Sequence, residues 1–233
     1  GGIPAARSPE EAGRATSQRL TDNSYIMQKL KDGLESLGVG DAAAVEHLQA
    51  YLGLLAKWNK AYNLSAIRDP AQMVTHHILD SLVVLPWLEG PRLLDMGSGA
   101  GLPGIPLAIA RPDLGIVLLD GNGKKTRFLT QVKLELKLDN ISVVHGRAEA
   151  YRPQAPFQTI ISRAFSSLGD FIRLAEPLLA PDGQLLAMKG RLDDAELRQS
   201  EPERVKLQIH RLEVPGLDAE RHLLQLRLTP TAP

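Results

Sequence analysis

The sequence predicts an α/β fold, in which a mostly parallel sheet of seven strands carries helices on both faces and follows a cap of helices. Three observations predict it. Apolar strand-like segments alternate with helical segments from residue 92 onwards, a glycine-rich turn follows the first strand, and the last two strands alternate apolar and polar residues as an antiparallel pair does. Strands that alternate with helices favour a parallel sheet, because each crossover returns the chain to the same edge.

The composition is that of one large globular domain of 233 residues with a core of its own. The 27 basic and 27 acidic side chains give zero formal net charge, so a site for a polyanion has to be a local patch. Cysteine is absent, which excludes disulfides, thiolate metal ligands and a cysteine nucleophile. No apolar run reaches the ~20 residues that span a bilayer and no secretory signal is visible, so we expect a cytoplasmic protein without membrane contact.

The first 90 residues divide into an arm and a cap. Residues 1–20 are rich in Gly, Ala, Arg, Ser and Pro without apolar periodicity, which predicts a disordered arm. Residues 21–90 hold three helical segments: Gly38 ends the first, Asp41 is the N-cap of the second, and the third runs from Asp69-Pro70 to near Pro86. The apolar positions at helical spacing are Tyr25, Ile26, Leu30, Leu34 and Leu37, then Val45, Leu48, Leu52 and Leu55, then Met73, His77, Leu82 and Val84.

Two clusters in the cap allow both a structural and a functional interpretation. Residues 58–68 combine Trp58 and Tyr62 with amide and basic groups, a mixture that can stack on a base and hold phosphates, or can anchor the cap to the core. His76 and His77 with Asp80 resemble metal ligands, but the cap offers no obvious further ligand. We therefore expect structural or hydrogen-bonding histidines and no metal.

The core is predicted to occupy residues 91–233 as alternating strands and helices. The predicted strands are 92–96, 114–120, 141–145, 157–162, 184–189, 205–213 and 221–229. The predicted helices are 105–110, 124–138, 168–179 and 192–199.

A glycine-rich turn organises this core. Asp95 ends an apolar strand, and Gly97, Gly99, Gly101 and Gly104 follow it before the next helix. Glycine lets backbone N–H groups approach an anion, and a helix N-terminus favours negative charge. The spacing fits the dinucleotide fingerprint and also the first motif of the methyltransferases that use S-adenosylmethionine (SAM). A turn that holds no ligand is the third possibility.

Later features favour SAM over a nicotinamide dinucleotide. Asp120 ends the second strand, where an acid accepts hydrogen bonds from ribose hydroxyls in either class. Residues 145–149 follow the third strand, where a methyltransferase contacts adenine. The fifth strand leads into a hairpin, the usual close of class I methyltransferases, and not into a second mononucleotide-binding half.

Two classes of methyl-accepting atom are disfavoured by residues that the sequence lacks. Methylation at pyrimidine C5 needs a cysteine nucleophile, which this chain lacks. Methylation of exocyclic amines employs an Asn/Asp-Pro-Pro-aromatic motif, but residues 161–165 read Ile-Ser-Arg-Ala-Phe. A ring nitrogen such as guanine N7 has a free lone pair and needs neither a base nor a covalent intermediate, so the protein only has to position it.

Basic residues follow the predicted carboxyl ends of the strands. Each is either a solvated surface charge or part of a patch that contacts phosphate. They are Lys124, Lys125, Arg127, Arg147, Arg163, Lys189 and Arg191. Because these strand ends converge on one cleft, we favour the phosphate-contacting patch.

From about Leu34 to Leu228 the chain resembles the bacterial 16S ribosomal RNA guanine-N7 methyltransferases of the small subunit, once called glucose-inhibited division protein B (GidB). The resemblance combines segments that are specific only together. They are Trp58-Asn-Lys-Ala-Tyr-Asn-Leu-Ser-Ala-Ile67, His77-Ile-Leu-Asp-Ser-Leu82, Asp95-Met-Gly-Ser-Gly-Ala-Gly-Leu-Pro-Gly-Ile-Pro106, Leu118-Leu-Asp120 with Lys124-Lys125 and Phe128-Leu129, Gly146-Arg-Ala-Glu149, Ser162-Arg-Ala164 and Met188-Lys-Gly190.

The resemblance implies a Rossmann-like class I fold, SAM as cofactor and S-adenosylhomocysteine as product. It implies a guanine in the 530 loop of 16S RNA as target, within the 30S subunit or an assembly intermediate, and we expect a monomer. Family SAM contacts fall on Gly97 and Leu102, on the Ala148-Glu149 pair beside adenine, and on Arg163 beside the transferring methyl.

The complete set of expected site residues follows. Arg163 and Lys189 are the expected catalytic residues. The expected cofactor residues are Gly97, Gly99, Gly101, Leu102, Asp120, Ala148, Glu149 and Arg163. The expected RNA-side residues are Asn63, His77, Lys124, Lys125, Arg127, Lys189 and Arg191. A methyltransferase of small molecules or proteins, and a non-catalytic nucleotide-binding or ribosome-assembly module, remain as alternatives.

Overall fold

The computed structural model describes residues 9–198 and 203–229, with side chains from residue 22 onwards. Helix α1 spans Pro9–Ser36, so the prediction of a disordered arm is wrong from Pro9 to residue 20, and residues 1–8 lie outside the described residues. Apolar periodicity misses this helical start because the segment carries few apolar residues.

The rest of the cap is helical, as predicted, but its third helix is not one α-helix. In α2 (Ala42–Tyr62) the predicted N-cap is confirmed, since the Asp41 carboxylate accepts the Ala44 N–H at 3.0 Å. The third stretch consists of α3 (Pro70–Met73), a π-helix (Val74–Leu79), α4 (Asp80–Leu82) and a 3-10 turn (Leu85–Trp87). A π-helical turn widens the helix and rotates the residues after it, so π-turns often accompany functional sites.

The core is a seven-stranded sheet in the order β3-β2-β1-β4-β5-β7-β6. Its strands are β1 (Arg92–Met96), β2 (Gly115–Asp120), β3 (Ile141–His145), β4 (Phe157–Ser162), β5 (Leu179–Lys189), β6 (Val205–Leu212) and β7 (Arg221–Leu228). Strands β1 to β5 are parallel and β6 pairs antiparallel with β7, as predicted. The structure adds that β7 also pairs antiparallel with β5. The order reverses between β1 and β4, and such a reversal opens a crevice at the carboxyl edge.

Within the described residues of the core, the α-helices are α5 (Gly104–Ala110), α6 (Gly123–Leu136), α7 (Leu168–Ala175) and α8 (Asp194–Arg198). Helix α7 is shorter than predicted because Pro177 lies in a 3-10 turn (Glu176–Leu178) that replaces its last residues. Strand β5 begins earlier than predicted, where Leu179 pairs with Phe157 before a register shift.

Cap and core share one hydrophobic cluster, which contains Leu48 and Leu55 of α2 together with Leu93 of β1 and Phe128 of α6. The Trp58 ring lies 5.5 Å from the Phe128 ring between centroids, which supports the structural interpretation of this tryptophan. The packing holds α2 of the cap against α5 and α6 of the core. Among the described helices, none is both long and apolar enough to cross a membrane.

Candidate active site

The glycine loop turns back over the end of β2. The N–H groups of Gly97 and Ser98 donate to the Leu119 carbonyl at 2.8 and 3.1 Å. Positive φ angles of 77°, 57° and 92° at Gly97, Gly99 and Gly101 make this turn, and residues with side chains rarely adopt them. The strand–turn–helix context predicted for the glycine motif is therefore present.

Asp120 fastens the same loop from the end of β2. Its Oδ2 accepts the Gly99 N–H at 2.8 Å, and its Oδ1 accepts the Asn122 N–H at 2.8 Å. Each carboxylate oxygen has a second lone pair, so Asp120 can also accept a hydrogen bond from a ligand hydroxyl. This residue shapes the loop in addition to the ligand contact that the sequence predicts.

A cavity of about 380 Å³, here called the loop cavity, opens where the loop meets the ends of the strands. Its size lies in the range of small-molecule sites. It is lined by Met96, Gly97, Leu119, Asp120, Gly121, Gly146, Arg147, Ala148, Glu149, Ala164, Phe165, Ser166, Asp170, Phe171 and Leu174. Four predicted cofactor residues therefore come together here: Gly97, Asp120, Ala148 and Glu149.

The other predicted cofactor residues do not line this cavity. Gly99 contributes its N–H to Asp120, and Leu102 is buried in the core. A Cβ on Gly101 would lie 2.4 Å from Ile105 Cγ1, so this glycine serves close packing under the loop. The segment of Phe165 and Ser166 lines the loop cavity but was missed, because no family motif or charge pattern marks it.

Arg163 and Lys189 lie in a neighbouring cavity of about 260 Å³, here called the arginine cavity. Its lining residues are Asp80, Arg163, Met188, Lys189, Gly190, Leu212, Arg221 and His222. The Lys189 ammonium pairs with Glu196 and lies 5.3 Å from the centroid of Phe165, whose residue lines the loop cavity. The two predicted catalytic residues thus stand next to the loop cavity and not inside it.

Two fully buried polar groups lie beneath the loop. Tyr51 of α2 donates its hydroxyl to the Ala100 carbonyl at 2.7 Å and so ties the cap to the loop. Asp95 Oδ2 accepts the Gly104 N–H at 2.8 Å, while burial raises the pKa of this carboxyl to about 7. Sequence reasoning missed Tyr51 because a tyrosine on an apolar helix face predicts only core packing.

His77 is also buried, on the π-helix. Its Nε2 lies 2.7 Å from Ser65 Oγ, and no hydrogen-bond partner for its Nδ1 occurs among the described residues. Burial and then the charge of Arg163 lower the pKa of His77 to about 4. At neutral pH this histidine is therefore an uncharged member of the seam between cap and core, which favours its hydrogen-bonding interpretation.

The depressed pKa of His77 predicts a loss of stability in acid. The unfolded chain takes up the proton near pH 6.5 and the folded chain only near pH 4, so this contribution is present above pH 6.5 and lost as the pH falls. Between pH 6.5 and pH 4 the wild type is expected to lose at most about 3 kcal/mol of its free energy of unfolding through His77. We expect His77→Gln, which keeps a hydrogen-bond partner for Ser65, to abolish this loss.

Urea unfolding of the two proteins at pH 7, 5.5 and 4.5 measures this effect. Asp95, whose pKa is raised to about 7, contributes the opposite slope in both proteins, so the difference between them isolates His77. Parallel pH profiles would contradict the assignment.

The predicted RNA-side residues are spread over the cap and the core. Asn63 ends α2 in the left-handed region and accepts a hydrogen bond from Arg68, while Lys124 and Arg127 are exposed on α6. Lys125 is half-buried, with Nζ 3.9 Å from the position that a Cβ on Gly99 would take. The Arg191 side chain is 91% exposed with Nε 3.8 Å from a Glu220 carboxylate oxygen, so it is a solvent-exposed surface charge.

The described residues hold no group of three or more histidine, cysteine, aspartate or glutamate side chains arranged for a metal ion. In the cap, Asp80 is instead paired with Arg163 and Arg221. The His76–His77–Asp80 cluster is therefore a set of hydrogen bonds and ion pairs.

Fold and site together define a Rossmann-like class I methyltransferase. The defining features are the parallel sheet closed by an antiparallel pair, the glycine loop after β1 and the carboxylate at the end of β2. The solved structure of an O-methyltransferase from Bacillus cereus in complex with SAH matches with a TM-score of 0.54 at 18% identity, covering 76% of this chain and 90% of that chain. At this identity the likeness concerns the fold.

Sequence comparison gives the family. The family model GidB, rRNA small subunit methyltransferase G, matches residues 44–224. Ribosomal RNA small subunit methyltransferase G of Pseudomonas syringae pv. syringae is 54% identical over 203 residues, which cover 87% of this chain and 95% of that protein. The corresponding protein of Methylobacillus flagellatus is 54% identical, covering 86% of this chain and 98% of that protein. The chain therefore belongs to the GidB family of rRNA small subunit methyltransferases, and the resemblance stated from the sequence is confirmed.

Proposed function

We propose that this protein transfers a methyl group from SAM to N7 of a guanine in the 530 loop of 16S RNA. The observation that carries the proposal is the pairing of two adjacent cavities. The loop cavity offers a cradle for a nucleoside cofactor, and the arginine cavity beside it is lined by three cationic side chains. Family membership supports ribosomal RNA as the substrate class.

The residues of the loop cavity fit SAM. Gly97 lines this cavity with a φ of 77°, and a Cβ there would lie 3.3 Å from the Ala164 carbonyl oxygen, so glycine suits this position in both backbone conformation and packing. In this proposal Asp120 accepts a hydrogen bond from ribose, and Ala148 and Glu149 contact adenine, since all three residues line the loop cavity. When bound, SAM supplies a methyl group activated by a sulfonium, and the protein's task is to hold the acceptor in line with it.

Guanine N7 suits a site of this composition. The whole chain lacks cysteine, and the described residues that line the arginine cavity include Asp80, whose carboxylate is bound to two arginines. Because N7 carries a free lone pair and no proton, its methylation needs no general base. In this proposal Arg163 and Lys189 bind and orient the nucleotide from the arginine cavity.

The RNA is proposed to approach across the cap and the basic ends of the strands. The cationic or amide side chains on this route are Asn63, Lys124, Lys125, Arg127 and Arg191. Phosphate contacts of this kind set position and make binding dependent on salt. A monomer in the cytoplasm acting on the 30S subunit or an assembly intermediate completes the proposal.

Replacing Asp120 with asparagine is expected to weaken SAM binding by about tenfold to a hundredfold. An amide has one acceptor oxygen, and its NH2 group would face a backbone N–H donor that the carboxylate now satisfies. Titration calorimetry measures the change. Asp170→Asn is the control, because Asp170 lines the same cavity but bonds Ser166 and Arg173 and not the glycine loop. Equal affinities for the two variants would count against the assigned role of Asp120.

Transfer of labelled methyl from tritiated SAM tests the function. The substrates are 30S subunits from cells that lack this enzyme and naked 16S RNA in parallel, and we expect label in RNA from at least one of them. If no RNA is labelled while SAM binds, the alternative of a small-molecule or protein substrate replaces the proposal. That alternative predicts that activity survives the neutralisation of four basic residues, Lys124, Lys125, Lys189 and Arg191.

A further inference from the structure

The arginine cavity is organised by one buried carboxylate of the cap. Asp80 is 3% exposed, and its Oδ1 accepts from Nε of Arg221 at 2.9 Å. Its Oδ2 lies 3.5 Å from Nη2 of Arg163. Arg221 is the first residue of β7 and Arg163 directly follows β4, so two guanidinium groups from different strands share the one negative charge of Asp80. The group of Asp80, Arg163 and Arg221 therefore carries a net positive charge.

Both guanidinium groups keep unused donors. Nη1 of Arg163 is buried, with no hydrogen-bond partner among the described residues. Arg221 uses Nε for Asp80 and Nη1 for the Glu220 carbonyl at 3.0 Å, and within the described chain its Nη2 makes no hydrogen bond. A buried charged donor without an acceptor is unfavourable, and a ligand oxygen would satisfy it.

We propose that the arginine cavity is an oxyanion subsite that binds a phosphate of the substrate RNA beside the target guanine. Arg221 is the phosphate-binding residue, and Asp80 is the positioning residue that holds Arg221 and Arg163 in place. The inference rests on the proposed function and names the part of the RNA that this cavity recognises.

Position and charge favour a phosphate at this place. Arg163 lines the arginine cavity and the next residue, Ala164, lines the loop cavity, so an occupant lies beside the cofactor site. A volume of about 260 Å³ accommodates a phosphate with its sugar. Planar guanidinium groups present paired donors that match phosphate oxygens.

The carboxylate of the cofactor's methionine moiety is an oxyanion of the same chemistry. It differs from an RNA phosphate in one measurable way. If it occupied the arginine cavity, loss of Arg221 would weaken SAM binding. If RNA phosphate occupies it, loss of Arg221 weakens RNA binding and leaves SAM binding unchanged.

The test compares Arg221→Gln and Arg221→Lys with Arg227→Gln. Arg227 lies on the same strand but pairs with Glu89 on the surface, away from both cavities. For each protein we would measure SAM affinity by calorimetry and RNA affinity by filter binding at several salt concentrations. The KM for the RNA substrate and kcat follow from labelled transfer. Unchanged SAM affinity also shows that a variant is folded.

We expect Arg221→Gln to raise the Kd and KM for RNA by about tenfold and to lower the salt dependence of binding by about one counterion. Its SAM affinity and kcat should stay within about twofold of the wild type. Arg221→Lys keeps the ion pair with Asp80 but not the planar guanidinium group, so its RNA affinity should lie between those of the wild type and Arg221→Gln.

Two results would overturn the inference: RNA binding by Arg221→Gln equal to that of Arg227→Gln, or a loss confined to SAM affinity. If Arg221→Gln does not fold and therefore binds no SAM, the SAM and RNA affinities of Arg221→Lys are compared with those of Arg227→Gln instead. Because filter binding needs no turnover, the inference can fail while methyl transfer to RNA is observed. Conversely, if the wild-type protein transfers no methyl group to RNA, the proposed function is refuted whatever the Arg221 variants show.

Discussion

Replacing Gly101 with alanine is expected to lower the free energy of unfolding by about 3 kcal/mol and to weaken SAM binding in the protein that still folds. A φ of 92° is strained for alanine, and its Cβ would lie 2.4 Å from Ile105 Cγ1 and 2.9 Å from Leu129 Cδ2. Backbone strain and overpacking each contribute about 1–3 kcal/mol. The overlap pushes α5 and α6 away from the loop. Urea unfolding and calorimetry measure the two effects.

Gly99→Ala is the matched control. Its φ of 57° is also positive, but the nearest atom to an added Cβ is Lys125 Nζ at 3.9 Å. We expect a loss of about 1 kcal/mol, from backbone strain alone. If the two variants were equally stable, close packing under the loop would not be the reason for glycine at residue 101.

Replacing Asp80 with alanine is expected to destabilise the protein by about 3 kcal/mol and to reduce methyl transfer by more than tenfold. The change leaves Arg163 and Arg221 with no carboxylate in a largely buried setting, which costs far more than the loss of a surface pair. Released from Asp80, Arg163 also loses its fixed position beside the loop cavity. Urea unfolding and labelled transfer below the melting temperature of the variant test the two parts.

The surface pair of Arg111 and Asp113 provides the control for Asp80. Both side chains are exposed, at 36% and 62%, although they lie 2.6 Å apart. Asp113→Ala should cost less than about 1 kcal/mol and leave transfer unchanged. An equally small effect of Asp80→Ala would show that the buried ion pairs do not join cap to core.

The sheet was predictable because its signals are local. Runs of apolar residues before Asp95 and Asp120 locate the parallel strands, and alternation over the last two segments marks the antiparallel pair. Helix details were less predictable. Apolar spacing around His77 is similar for an α-helix and a π-helix, because the difference lies in the hydrogen-bond register.

The loop cavity was predictable where chemistry recurs in short motifs, as at Gly97, Asp120 and the residues after β3. The arginine cavity was only half predictable, because Arg221 meets Asp80 across 141 positions of sequence. No short sequence pattern predicts an ion pair between residues so far apart in the chain. The sequence predicted Arg163 and Lys189 as catalytic residues, and the fold brings Asp80 of the cap and Arg221 of β7 to the same cavity.

The most direct test of the central claim is to locate the methylated atom. RNA labelled by the wild-type protein from tritiated SAM would be cleaved by chemistry specific for N7-methylated guanine, and the cut would be mapped by primer extension. The account predicts one cut at one guanine of the 530 loop, with the label at that nucleotide. Label on another base, or label at a guanine that resists this cleavage, would contradict it.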